Sequence, residues 1–250
     1  MMNVFIAGPC VIESTECLEM VAEELVRLNK KYSIDIIFKS SFDKANRTSI
    51  SSYRGPGLDK GLTMLNDIRE KYGLKLLTDI HDPFQAKPVG EVVDVIQIPA
   101  FLCRQTDLLI SAAKTGKIIN IKKAQFLSGE DMIYPVQKVR ETGNDNVWLT
   151  ERGNMYGYNN LVVDFRNIPL MKKIVPTIIM DCTHSVQRPG AAGGKTGGNR
   201  EYVPAMALAA KAFGVTGYFF EIHPNPDCAL SDGPNMVAVK EFETIIKSLL

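Results

Sequence analysis

Eight short apolar runs, spread over all 250 residues and separated by amphipathic stretches, constrain this chain more than anything else in it. They cover residues 4–7, 34–39, 75–79, 95–98, 118–122, 147–151, 177–181 and 218–221. Helical patterns fall between them at 14–31, 58–72, 106–115, 132–141 and 201–213, and a last one at 237–250 closes the chain. Ser14 reads as an N-cap region, while Gly73 and Gly214 stand where helix C-terminal glycines are expected. Strands that alternate with helices pair in parallel. Eight such units without a linker predict a single-domain α/β fold over residues 1–250, a (β/α)8 TIM barrel. A doubly wound open sheet is the competing reading, and it rarely needs eight regular repeats.

A barrel carries its chemistry at the C-terminal ends of its strands and in the loops that follow. Those positions are Cys10; Lys39 with Lys44, Asn46 and Arg47; Asp79 with His81; Gln97; Lys122 with Gln125; Arg152; His184; and Glu221 with Asp232. Every predicted strand therefore ends in polar or ionisable groups, which a scaffold without a site does not need.

Two constellations follow. Lys39, Lys44, Arg47, Lys122 and Arg152 are cations from distant parts of a chain whose net charge is only +1. Gathered at one mouth they suit a polyanionic small molecule, since Arg forks onto phosphate oxygens and Lys acts as a point charge. The alternative is that each is a solvated surface charge. The near-neutral balance gives no field that favours nucleic acid or an anionic membrane.

Cys10, His184, Glu221 and Asp232 form the second set. Strands seven, eight and one are neighbours in a closed barrel, about 4.8 Å apart, so their ends can converge on one ion. A thiol, an imidazole and two carboxylates suit Zn²⁺, Fe²⁺ or Mn²⁺. The competing reading is a buried thiol and a hydrogen-bonded histidine. His81 and His223 read as structural, and Cys17 as the packed face of a helix.

Other features exclude or distract. Residues 1–9 carry no basic leader and no run reaches membrane-spanning length. The five cysteines have no zinc-finger spacing, so a reduced, cytoplasmic protein is expected. Pro189-Gly-Ala-Ala-Gly-Gly-Lys195-Thr196 imitates a phosphate-binding loop, but Pro189 occupies the place of the first glycine. It reads as a mobile Gly-rich loop over the mouth. Cys182 and His184 read as sharing one strand face, Cys182 the deeper of the two.

Several strings together resemble the 3-deoxy-D-manno-octulosonate 8-phosphate synthase family. They are Ala7-Gly-Pro-Cys-Val-Ile-Glu-Ser14, Phe38-Lys-Ser-Ser-Phe-Asp-Lys-Ala-Asn-Arg47, Thr78-Asp-Ile-His81 and Gln97-Ile-Pro-Ala-Phe-Leu-Cys-Arg-Gln-Thr-Asp107. Asn120-Ile-Lys-Lys-Ala-Gln-Phe126, Thr150-Glu-Arg-Gly153, Gly157-Tyr-Asn-Asn-Leu-Val-Val-Asp-Phe-Arg166, Asp181-Cys-Thr-His-Ser-Val-Gln187 and Ser231-Asp-Gly-Pro234 extend the likeness over nearly the whole chain.

The resemblance implies a transferase that condenses phosphoenolpyruvate with D-arabinose 5-phosphate for lipopolysaccharide synthesis, as a cytoplasmic homotetramer without an organic cofactor. It places Lys39, Lys44, Lys122, Gln125 and Arg152 on phosphoenolpyruvate, with Gln97 and the Ala100 backbone nearby. It places Asn46, Arg47 and Thr48 on the sugar phosphate, with Asp79 near its hydroxyls. Position 48 is usually Ser in the family, and Thr keeps the hydroxyl. Lys122, His184, Glu221 and Asp232 are the candidates for the chemistry itself. Cys10 resembles the metal-dependent subclass, with Cys10, His184, Glu221 and Asp232 as ligands; Asp232-Gly-Pro234 resembles the metal-free one. Phe101 and Arg104 are candidates to reach a neighbouring subunit's site. The nearest rival condenses phosphoenolpyruvate with erythrose 4-phosphate and usually carries a Lys-Pro-Arg-Thr-type string where Lys44-Ala-Asn-Arg47 stands here. A non-catalytic phosphate-binding barrel is the rival from another class.

Overall fold

The apolar runs become eight parallel strands in a computed structural model, which describes residues 3–192 and 195–250. The strands are β1 (Val4–Gly8), β2 (Ile36–Lys39), β3 (Leu76–Asp79), β4 (Val95–Ile98), β5 (Ile118–Lys122), β6 (Val147–Glu151), β7 (Ile178–Asp181) and β8 (Gly217–His223). They pair in chain order, and β8 closes on β1 from Val4 opposite Gly217 to Gly8 opposite Glu221. A helix follows each strand: α1 (Thr15–Tyr32), α2 (Leu58–Tyr72), α3 (Ala86–Val92), α4 (Thr106–Ala113), α5 (Ile133–Arg140), α6 (Asn167–Lys172), α7 (Val203–Ala212) and α8 (Val239–Leu249). This is the (β/α)8 barrel, not the open sheet. Among the described residues no helix is long and apolar enough to cross a membrane.

Strand parity divides the side chains between two environments. Phe5, Phe38, Leu76, Ile96, Ile121, Leu149, Met180 and Phe220 point outward into the core shared with the helices. Ile6, Ile37, Leu77, Val95, Ile179 and Phe219 point inward and plug the barrel. One step further along the strands the inward positions turn polar: Lys39, Asp79, Gln97, Asn120, Thr150, Asp181 and Glu221, all buried. The site thus stands on a dry apolar floor, where charges interact more strongly than in water.

Gly8 occupies the inward position on β1 because nothing larger fits. A Cβ there would sit 1.9 Å from the Lys39 carbonyl oxygen and 2.8 Å from its carbon, both backbone atoms of β2. Gly8→Ala is expected to cost about 3 kcal/mol, the upper end of overpacking. At about 2–4 °C per kcal/mol for a chain this size, calorimetry should show Tm falling by roughly 6–12 °C. An unchanged Tm would mean that β1 and β2 separate without penalty.

The structure corrects some expectations. The strand expected at 34–39 starts at Ile36, because α1 runs to Tyr32 and Ser33 caps it at φ 53°. Helices α3 and α6 are absent from the sequence reading. Each carries a proline, Pro88 or Pro169, in its first turn, where a missing N–H costs nothing. The Gly-rich segment is an antiparallel ribbon, Gln187–Ala192 against Lys195–Gly198, not an unpaired loop. Residues 193 and 194 of it lie outside the described residues. β7 stops at Asp181, so Cys182 and His184 do not share a strand face; His184 opens a 3-10 turn instead.

Candidate active site

Lysines 39 and 122 are almost wholly buried and reach upward from the apolar floor. Lys39 Nζ donates to the Cys10 carbonyl oxygen at 2.8 Å and pairs with Glu221 Oε1 at 3.1 Å. Lys122 Nζ lies 2.5 Å from Asp181 Oδ2, 3.4 Å from His184 Nδ1 and 4.2 Å from the Phe219 ring centroid. Burial lowers the Lys122 pKa, and Asp181 only partly offsets it. Arg152, also lowered by burial, donates through Nη2 to Gln187 Oε1 at 3.0 Å. Among the described residues its Nη1 is buried with no partner, and so is Gln125 Oε1. Unpaired buried polar atoms are costly without a ligand, so this corner is shaped for an anion with both donors and acceptors.

Across the mouth stand the four candidate metal ligands. The donor atoms of Cys10, Glu221 and Asp232 all lie within 4.8 Å of one another. His184 Nε2 stands 3.4 Å from Glu221 Oε1 and 3.6 Å from Asp232 Oδ2. Its other nitrogen, Nδ1, lies 2.7 Å from Asp181 Oδ2. In the neutral ring with its proton on Nδ1, Nε2 offers a lone pair on the side of the two carboxylates, the orientation that a carboxylate behind the ring gives a metal-bound histidine; in the charged ring Nε2–H pairs with them. Glu221 Oε2 is buried without a partner among the described residues. Asp232 reaches the cluster from a backbone at φ 53°, a left-handed conformation that Asp tolerates better than most residues. These groups fit a divalent cation.

The electrostatics agree. Burial, then Asp232 and Glu221, pushes the Cys10 thiol well up, so the protein alone disfavours a thiolate here. Burial would raise Glu221 and Asp232, yet both are held low. His184, Lys39 and Lys44 act on Glu221; Lys44 and His184 act on Asp232. Lys44 Nζ lies 3.7 Å from Asp232 Oδ2.

The remaining candidates surround these two centres. Arg47 Nη1 donates to Ser231 Oγ at 2.5 Å, and the Cys10 thiol donates to the same oxygen at 3.2 Å. Asn46 and Thr48 flank Arg47 on the exposed rim. Asp79 accepts from Ser41 Oγ and lies 3.1 Å from His81 Nε2, so His81 is a partner of a candidate residue. Gln97 Oε1 accepts from Asn120 Nδ2 at 3.1 Å, and Ala100 is buried beside it on the turn after β4.

Sequence reasoning missed Asp181, Ser231 and Gln187. Asp181 carried a readable signal, since it ends an apolar run on the inward parity. Burial would raise its carboxyl, but His184 and Lys122 hold it well below the usual range. Ser231 and Gln187 had no such signal, because each acts through a partner more than thirty residues away.

A profile described as the DAHP synthetase I family matches residues 2–249. Among curated relatives, a 2-dehydro-3-deoxyphosphooctonate aldolase of Helicobacter hepaticus is 53% identical over 98% of this chain and 95% of its own. A protein of the same name from Campylobacter jejuni is 52% identical, covering 99% of this chain and 95% of its own. One from a Cyanothece species is 54% identical, covering 98% and 90%.

Proposed function

The chain belongs to the DAHP synthetase I family, and from that premise we propose that its barrel mouth performs the reaction of its 2-dehydro-3-deoxyphosphooctonate aldolase relatives. It condenses phosphoenolpyruvate, D-arabinose 5-phosphate and water to 3-deoxy-D-manno-octulosonate 8-phosphate and phosphate. The product serves lipopolysaccharide precursor synthesis. The observation that best supports this reading is the buried cation layer with two unpaired polar atoms, on Arg152 and Gln125, beside a four-ligand cluster.

Lys39, Lys44, Lys122, Gln125 and Arg152 hold phosphoenolpyruvate, with Gln97 and Ala100 shaping its pocket. Asn46, Arg47 and Thr48 hold the sugar phosphate, and Asp79 orients its hydroxyls. C3 of phosphoenolpyruvate attacks the aldehyde carbon, whose oxygen gains a proton as the new C–C bond forms. Water adds at C2 and gives up one proton, balancing the one the aldehyde oxygen takes up; with no ion bound, Glu221 or Asp232 carries it. The hemiketal phosphate then collapses with C–O cleavage and releases phosphate. Two anions held face to face on a dry floor supply the positioning, and Lys122 stabilises charge as it develops.

Cys10, His184, Glu221 and Asp232 would hold a divalent ion, Zn²⁺, Fe²⁺ or Mn²⁺, with Asp181 fixing the histidine. When bound, such an ion supplies Lewis acidity and acidifies a ligated water. The protein is cytoplasmic, in keeping with five free cysteines. It assembles as a homotetramer in which the exposed Phe101 and Arg104 reach a neighbour.

Phosphate release with five-carbon and four-carbon sugar phosphates tests the reading. Arabinose 5-phosphate should exceed erythrose 4-phosphate in kcat/KM by at least about 100-fold, as expected when a site hydrogen-bonds hydroxyls that the shorter sugar lacks. Preference for the four-carbon sugar would move the chain to the rival reaction. Turnover of neither would leave a binding protein.

A further inference from the structure

Lys123, a lysine with no exposed surface, takes no part in the proposed chemistry. It points outward from the barrel, opposite in parity to Lys122. Its ammonium sits 3.4 Å from Glu151 Oε1, itself wholly buried, 3.0 Å from Asn154 Oδ1 and 3.1 Å from the Leu127 carbonyl oxygen. The same Glu151 oxygen accepts the backbone N–H groups of Arg152 at 2.8 Å and Gly153 at 2.6 Å. Asn154 completes the circuit, donating through Nδ2 to the Leu127 carbonyl at 3.0 Å. One ion pair therefore holds the turn after β5 against the turn after β6.

A buried ion pair is a poor way to gain stability, because an apolar pair of similar volume is often as good or better. What this pair does is local. The turn after β5 carries Gln125 and the turn after β6 carries Arg152, and each of those two residues presents an unpaired buried atom to the site, among the described residues. The Gln125 carbonyl also accepts the Met155 N–H at 3.1 Å.

We propose that Lys123 and Glu151 are positioning residues that set the spacing of Gln125 and Arg152, and so the fit of the site to the anionic enol substrate. This rests on the reading that Arg152 and Gln125 hold phosphoenolpyruvate. The pair touches no substrate and acts through the two turns alone. Burial lowers the Lys123 pKa, which Glu151 opposes.

The test is steady-state kinetics of the full-length double variant K123M/E151Q. It removes both charges but keeps an acceptor oxygen for the Arg152 and Gly153 N–H groups. KM for phosphoenolpyruvate should rise about tenfold or more, as when a positioned group shifts by a fraction of an ångström. KM for arabinose 5-phosphate should stay within about twofold and Tm near the wild-type value. Wild-type KM for phosphoenolpyruvate in the folded double variant, or equal rises for both substrates, would overturn the proposal by leaving the pair a purely structural role. If the double variant does not fold, Asn154→Leu removes one arm of the circuit at a half-buried position and should show the same split more weakly; no split there would also overturn it. Arg152→Gln separates the underlying reading. If it leaves KM for phosphoenolpyruvate unchanged, the assignment of Arg152 fails, and the proposal fails with it whatever the double variant does.

Discussion

Lys122→Met is expected to reduce kcat/KM by about 10³-fold or more, the scale of losing a preorganised charge at a reacting centre. Among the described residues, its ammonium is the one cation that touches both Asp181 and the His184 ring. Methionine keeps most of the volume over the Phe219 ring and deletes only the charge. The variant should also lose stability by about 3 kcal/mol, because it takes Lys122 from the buried Asp181 carboxylate and leaves His184 to oppose that charge. Pairing it with Asp181→Asn separates these effects: thermal unfolding should recover while turnover does not. A Lys122→Met enzyme within tenfold of wild-type kcat/KM would remove Lys122 from the chemistry.

Stripping the protein of divalent metal should lower turnover by about 100-fold or more, with recovery on adding back Zn²⁺, Fe²⁺ or Mn²⁺. The physical reason lies in the donor set. Cys10 is buried among carboxylates that push its thiol up, so a thiolate forms there only with a cation in place. His184 Nε2 stands 3.4 and 3.6 Å from two carboxylate oxygens, so a neutral ring can offer its lone pair to a cation that both carboxylates also attract. Cys10→Asn should bind metal more weakly, measured as metal content after dialysis, and keep part of its turnover. Full activity in metal-stripped protein with no metal by elemental analysis would end the ligand reading of Cys10. The Asp232-Gly-Pro234 string would then mark this chain as metal-free.

Much of this was legible in the residues themselves. A barrel strand is buried on both faces, so β4 and β5 read as near-continuous apolar runs, and the polar residue closing each run lies where a barrel mouth must be. Lys39, Lys122, Arg152 and Glu221 came from that rule alone. The illegible parts have physical causes. Short α3 and α6 carry prolines that mimic turns, although their first-turn placement costs nothing. The Gly-rich ribbon, with Thr196 its one β-branched residue, lacks the apolar run that announces a strand, yet its backbone pairs antiparallel.

By itself the sequence determined the eight-fold alternation, the parity that separates plug from mouth, and the roster of groups at the strand ends. These are periodic properties, and period is written along the chain. Only the tertiary structure decided who meets whom. Closing β8 on β1 carries Ser231 and Asp232 across 221 and 222 positions to the Cys10 thiol. Folding one turn against the next hides Lys123 on Glu151, and Asp181 becomes the shared partner of Lys122 and His184. Contacts of that reach depend on where the chain returns in space, which no local pattern of residues encodes.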